Sequence, residues 1–514
     1  MTGGRGHDGV MTAVDSGPPR SSGERPTPGE RRCDEAGRRV AGDLIVRGVP
    51  SGLLLVLLGG LAARAARPIN DPDDWWHLRL GNDLIAAQSL STPHHWSSFA
   101  TVPWVPTEPL PEILSAYHER WLGLPGLAVL FGLMLVVFLL TVQTTHRREA
   151  ALLPATVATT LTLLAAEPSL TSRPQLISFV LLPVVLAGWL RTERDLKPRW
   201  WLIPLIWLWS LCHGFWIFGV TVGVLILLGI ALSRRADLPT LARLAAVSVG
   251  SLVVVAANPV GLGVLEAPFA VRSTSQYISE WQRTDLLHAG PIGAEVMIVV
   301  TAVVWLATRQ GVSWARVLLL ATAAFLVWYA ARLVVVGGLV AGPLFAGALE
   351  VLVARTAHDR DVAGGPRTKQ CRLSRSELWV GAIGGLAAIG CVAVAAPHVA
   401  DSPSDVPLGL DPQLDQLPAG TPVFNDYALG GWISWRHPDL EQYIDGLITP
   451  YSVTHVGDYA LAEATRPGWY RVVLASKAPV ALLESGSRLA RALEQKGWTS
   501  EGTSVGYVLL QRPT

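Results

Sequence analysis

Apolar runs of about 17–22 residues recur along this chain, and each can cross a ~30 Å hydrocarbon core as a helix. They lie near 46–66, 123–143, 150–166, 174–190, 200–213, 215–232, 241–257, 292–308, 316–331, 333–353 and 377–399, the fifth being short. Charged residues make up only 16% of the 514, where soluble domains carry about 25%. Twenty Trp suit anchors at the water–lipid boundary. The predicted class is an α-helical polytopic membrane protein with about eleven transmembrane helices and a small C-terminal α/β domain. A net charge of +1 offers no basic field for nucleic acid. The four cysteines, Cys33, Cys212, Cys371 and Cys391, are scattered without metal-ligand spacing.

Loop charge sets the expected orientation. With the N-terminus inside, the inner segments hold Arg31 to Arg39, Arg147-Arg148, Arg191 to Arg199, Arg234-Arg235, Arg309 with Arg316, and Arg355 to Arg375. Every short basic cluster then falls on one side, as the positive-inside rule requires. Residues 1–43, rich in Gly, Pro, Ser and Arg, read as a disordered cytoplasmic tail. Residues 44–400 form the transmembrane domain, with a large first outer loop at 67–122. Residues 401–514 read as an extracytoplasmic α/β domain. Its expected strands are Pro422-Val-Phe, Gln442-Tyr-Ile, Arg471-Val-Val-Leu and Gly506-Tyr-Val-Leu-Leu, with a helical pattern from Pro479 to Lys496.

Polar residues concentrate in the first outer loop, Asn70-Asp71-Pro72-Asp73-Asp74-Trp75-Trp76-His77. Asp73 or Asp74 suits the N-cap of a helix from Trp75 to about Ala87. On that helix Asp73, Trp76 and His77 share a face. A carboxylate partly desolvated there can act as a general base. Asp71 with Asp73 can equally hold Mg²⁺ or Mn²⁺ through oxygen ligands. An N-cap beside an interfacial Trp belt explains the same residues without chemistry.

This stretch resembles the first-loop signature of bacterial multi-pass membrane proteins related to the GT-C glycosyltransferases. That superfamily includes oligosaccharyltransferases, protein O-mannosyltransferases and the aminoarabinose transferases of lipid A. Further likenesses follow in order. Thr171-Ser172-Arg173-Pro174-Gln175 resembles an "RPQ" turn, Cys212-His213-Gly214 an "NxHG" break, and Asn258-Pro259-Val260-Gly261 an "NPxG" exit followed by Glu280-Trp281. Ala331-Arg332 matches a helix-end arginine. In the tail, Asn425-Asp426-Tyr427 with Gly430-Gly431-Trp432, and Tyr443-Ile444-Asp445-Gly446, resemble "NDYxxGGYLIW" and "VFIDGR". The sequence departs from the pattern at Leu447, Pro109, Cys212 and His94-His95-Trp96.

The resemblance implies a membrane glycosyltransferase that moves a sugar from a polyprenyl-phosphate donor to an acceptor at the outer face, with inversion. The acceptor is a cell-envelope glycan, lipid or protein. Asp71 and Asp73 are the expected catalytic pair, and also the expected ligands if Mg²⁺ or Mn²⁺ takes part. Trp76, His77, Arg173, His213, Glu280, Trp281 and Arg332 are the expected substrate-binding residues, with the arginines facing the departing phosphate. Asp426 and Asp445 are expected to contact the acceptor. The rival readings are a catalytically silent scaffold or sensor with an external domain, and a lipid or polysaccharide transporter. A transporter should carry charges in helix centres and two similar halves, and the sequence has neither.

Overall fold

Every apolar run becomes a helix. The computed structural model describes residues 48–90, 96–104, 106–309, 311–358 and 373–513. The tail 1–43, His94-His95 and the basic stretch 359–372 lie outside them. The helices are α1 (Val49–Ala65), α2 (Pro72–Ala87), α3 (Pro109–Leu122), α4 (Leu124–Arg147), α5 (Leu152–Ala166), α6 (Gln175–Asp195), α7 (Leu202–Ser210), α8 (Trp216–Leu232), α9 (Leu238–Ala256), α10 (Ala289–Thr308), α11 (Trp314–Tyr329), α12 (Val334–His358) and α13 (Arg375–Val399). Among the described residues, α4, α6, α9, α10, α12 and α13 are long and apolar enough to cross a membrane. The apolar helices α1, α8 and α11 are shorter, as are α5 and α7. The helices pack around one apolar core that includes Phe138, Phe179, Trp189, Trp209, Trp216 and Phe345.

The tail supplies a five-stranded sheet in the order β2-β1-β3-β5-β4. Its strands are β1 (Pro422–Asn425), β2 (Glu441–Gln442), β3 (Val480–Glu484), β4 (Thr499–Ser504) and β5 (Tyr507–Gln511). β1 pairs parallel with β2 and β3, whereas β5 runs antiparallel to β3 and β4. Two expectations are corrected here. Arg471-Val-Val-Leu lies in a helix, Trp469–Ala475, where only Val473 is buried. Val480–Leu483 is a central strand buried at all four positions; its helical neighbour begins only at Arg488, capped by Ser487. A short apolar run buried on both faces carries no period by which to tell strand from helix.

The site is positioned by α2. Trp75 and Leu78 on α2 join Leu124, Leu127, Val423, Trp432, Ile433 and Leu509 in a second apolar core shared with the sheet region. Residues Pro50–Thr514 thus pack as one unit.

Candidate active site

The first-loop helix begins three residues earlier than expected, at Pro72. Asp71, extended at φ −78° and ψ 120°, is the N-cap and accepts from the Asp73 N–H. Proline fits the first helical turn because that turn's N–H has no intrahelical partner. This corrects the capping role given to Asp73 or Asp74. It also frees Asp73 to face a cavity of about 820 Å³. Asp74 points the other way, is 6% exposed and accepts from the Ser172 hydroxyl.

Arg173 organises the carboxylates. Its Nε donates to Asp71 Oδ2 at 2.7 Å, and its Nη1 lies 3.0 Å from Asp73 Oδ2 and 3.2 Å from Glu280 Oε1. Arg332 pairs with the other oxygen of Glu280. Its guanidinium lies 5.9 Å from the ring centroids of both Phe215 and Trp281. Both arginines face the cavity with ion-pair partners, rather than reaching out to headgroups.

Burial drives the protonation pattern. The Asp73 carboxyl is pushed up to about 6 by burial, with Arg173 opposing and Asp71 adding to the rise. Asp74 is raised well above the usual carboxylate range, first by burial and then by Asp71. Glu108 is pushed up to about 8 by burial, Arg332 opposing. Glu112 rises for the same reason, with Glu108 adding to it. His77 and His213 are both lowered well below the usual imidazole value, by burial first and cationic neighbours second. At neutral pH the cavity therefore holds the neutral imidazole of His213, a protonated Glu108 and an Asp73 poised to exchange a proton, with the neutral His77 beside it.

Asp73, Trp76, Arg173, His213, Glu280, Trp281 and Arg332 all line this one cavity. His77 does not: it stacks on Trp76 at a 3.5 Å centroid distance and places Nδ1 3.2 Å from Glu112 Oε1. Asp71 lies behind Arg173. Neither Asp426 nor Asp445 is brought to the cavity. Asp426 caps a turn by accepting from the Ala428 N–H. Asp445 is wholly buried and accepts from Gln442, Tyr451 and the Leu447 N–H. Its neighbour Gly446 does reach the site: a Cβ there would fall on the Asp73 carboxylate. Tyr427 also lines the cavity and donates to the Gly446 carbonyl.

Glu108 and Glu112 escaped the sequence reading as site residues. Their signal is an i, i+4 acid pair at a proline-started helix, directly before an apolar run. His77, Glu108 and Glu112 bring one ligand atom each within 4.8 Å of one another, a donor set of the transition-metal type. Asp71 and Asp73 suit Mg²⁺ or Mn²⁺ less well, because Arg173 already stands between them.

No protein-family model matches the chain, and no curated protein matches it in sequence. Solved structures that resemble it include the following three. The apo oligosaccharyltransferase of Archaeoglobus fulgidus superposes with a TM-score of 0.51 at 14% identity, covering 84% of this chain and 69% of that one. ArnT from Cupriavidus metallidurans gives 0.49 at 15% identity in its apo state, covering 92% and 98%. The same protein bound to undecaprenyl phosphate gives 0.47 at 16%, covering 91% and 98%. At 14% identity the likeness is one of fold: this chain has a polytopic helical membrane fold similar to that of the oligosaccharyltransferase.

Proposed function

We propose that this protein is a membrane glycosyltransferase that takes a sugar from a polyprenyl-phosphate donor and passes it to an acceptor hydroxyl with inversion. The observation that carries this reading is one cavity holding a near-neutral carboxylate, Asp73, beside two arginines, Arg173 and Arg332.

The acceptor oxygen attacks the anomeric carbon, and the bond from that carbon to the phosphate oxygen breaks. Asp73 takes the acceptor proton, as the base does in inverting glycosidases. The phosphate keeps the bonding electron pair, and Arg332 with Arg173 stabilises its charge. Asp71 acts through Arg173, which it orients and keeps charged. Phe215, Phe218, Phe269 and Leu333 line the cavity's apolar flank and suit the first isoprene units. Trp281 and Tyr427 offer rings on which a sugar can stack. Glu108, protonated below about pH 8, donates a hydrogen bond to a sugar hydroxyl. The positive-inside bias supports an outward-facing cavity, and hence an acceptor in the cell envelope.

The test is purified protein in proteoliposomes with a panel of polyprenyl-phosphate sugars, followed by mass spectrometry of the acceptor pool. Sugar transfer that depends on Asp73 supports the reading. Failure to release polyprenyl phosphate from every donor overturns it.

A further inference from the structure

Glu280 stands out among the ionic residues of the cavity. Its two carboxylate oxygens are divided between two guanidinium groups, Oε1 towards Arg173 at 3.2 Å and Oε2 on Arg332. Its side chain is 41% exposed, against 17% and 20% for the arginines it bridges. The arginine on one side is anchored elsewhere, on Asp71 and Asp73; Glu280 is not. On the other side the buried Nε of Arg332 has no hydrogen-bond partner among the described residues. With one oxygen towards each guanidinium, the carboxylate as oriented leaves that donor unmet.

The charge count sharpens the point. Asp71, Asp73 and Glu280 already set three acids against two guanidinium groups. An incoming phosphate cannot share both arginines with Glu280 without placing like charges in contact, which is costly in a buried setting.

We propose that Glu280 is a built-in stand-in for the donor's phosphate. Without ligand, its carboxylate spans the two arginines and keeps them aimed into the cavity. When a phosphate ester arrives, the side chain rotates out towards solvent. The ester's oxygens take both guanidinium groups, including the Nε that the carboxylate leaves idle. The backbone need not move: the Ala331 N–H donates to the Gln282 carbonyl, and the Gln282 amide bonds the Ser275, Gln276 and Ile278 carbonyls. After transfer, the returning carboxylate competes with the product phosphate and speeds its release. The inference rests on the phosphate-donor reading above.

Binding of geranyl monophosphate, inorganic phosphate and sulfate to the detergent-solubilised full chain tests it by calorimetry, using wild type, Glu280→Gln and Arg332→Gln. Circular dichroism and melting temperature control for folding. Glu280→Gln is expected to bind geranyl monophosphate about tenfold more tightly, with slower dissociation, because a neutral amide no longer competes. Arg332→Gln is expected to lose at least about tenfold. Equal or weaker binding by Glu280→Gln makes Glu280 a bystander or a ligand contact and overturns the stand-in while leaving the donor reading intact. A gain for inorganic phosphate and sulfate, with no advantage for the prenyl ester, keeps the stand-in and removes the lipid donor. No binding of any anion by any variant overturns both.

Discussion

Helix α6 carries an ionic cluster at each end, about 30 Å apart at 1.5 Å per residue, and the two differ in what they leave open. At the C-terminal end, Glu193 and Glu149 are 4% and 6% exposed in their side chains and are enclosed by cations. Arg194 reaches Glu149 at 2.6 Å, Arg316 bridges both acids, and Arg235 lies 3.7 Å from Glu193. The Ser313 hydroxyl adds a further bond to Glu193. At the N-terminal end, Arg173 gathers a similar number of acids, yet the cluster opens on the large cavity and leaves an arginine donor unused. The residue types are alike. Space and idle hydrogen-bonding capacity separate a site from a fastening.

The largest expected effect falls on the open cluster. Asp73→Asn should lower transfer by about 10³-fold, roughly 4 kcal/mol of barrier, with no loss of melting temperature. Asp74→Asn should cost less than about tenfold, since an amide can still accept from Ser172. In the wild type the rate should rise with pH through about 6, as Asp73 loses its proton and becomes a base. Normal turnover by Asp73→Asn would break the comparison outright.

The closed cluster should answer in the opposite currency. Glu193→Gln takes away one of the two acids that Arg316 bridges, leaving it Glu149, and should lower stability by about 2 kcal/mol. The turnover of the folded fraction should stay within about twofold. Denaturant melts combined with rates per folded molecule separate the two effects. Arrested chemistry at unchanged stability would erase the distinction between the two ends.

Smaller effects sharpen the picture. Glu108→Gln should keep activity within about threefold at neutral pH, because an amide imitates a protonated acid. It should also remove any fall in rate above about pH 8, where the native carboxyl ionises. Excess EDTA should leave transfer unchanged, since two arginines already meet the departing phosphate. A loss restored by Zn²⁺ or Mn²⁺, and abolished by Glu112→Gln, would instead place a cation on the His77–Glu108–Glu112 group.

The helices were legible in the sequence, because membrane-length apolar runs are strong local signals. Each run is a helix, and Arg173 and Arg332 stand at helix ends as their flanks imply. The pairing of Glu112 with His77 was not legible. It depends on α2 and α3 lying so close that a Cβ at Gly81 would strike the Glu112 carbonyl. The exchange of helix and strand near Val473 and Val480 has a similar origin: burial on one face or two is decided by neighbours distant in sequence. The N-cap at Asp71 could have been found, since an Asp before a proline is a strong helix-start signal.

The contact of Gly446 with Asp73 bears on biosynthesis. The first loop emerges early from the ribosome, but the wall that closes over its aspartate belongs to the end of the chain. A nascent or C-terminally truncated molecule therefore carries the reactive carboxylate without its enclosure. On the glycosyltransferase reading proposed above, such a molecule is expected to be inert towards lipid-linked sugars until the segment carrying Gly446 has docked.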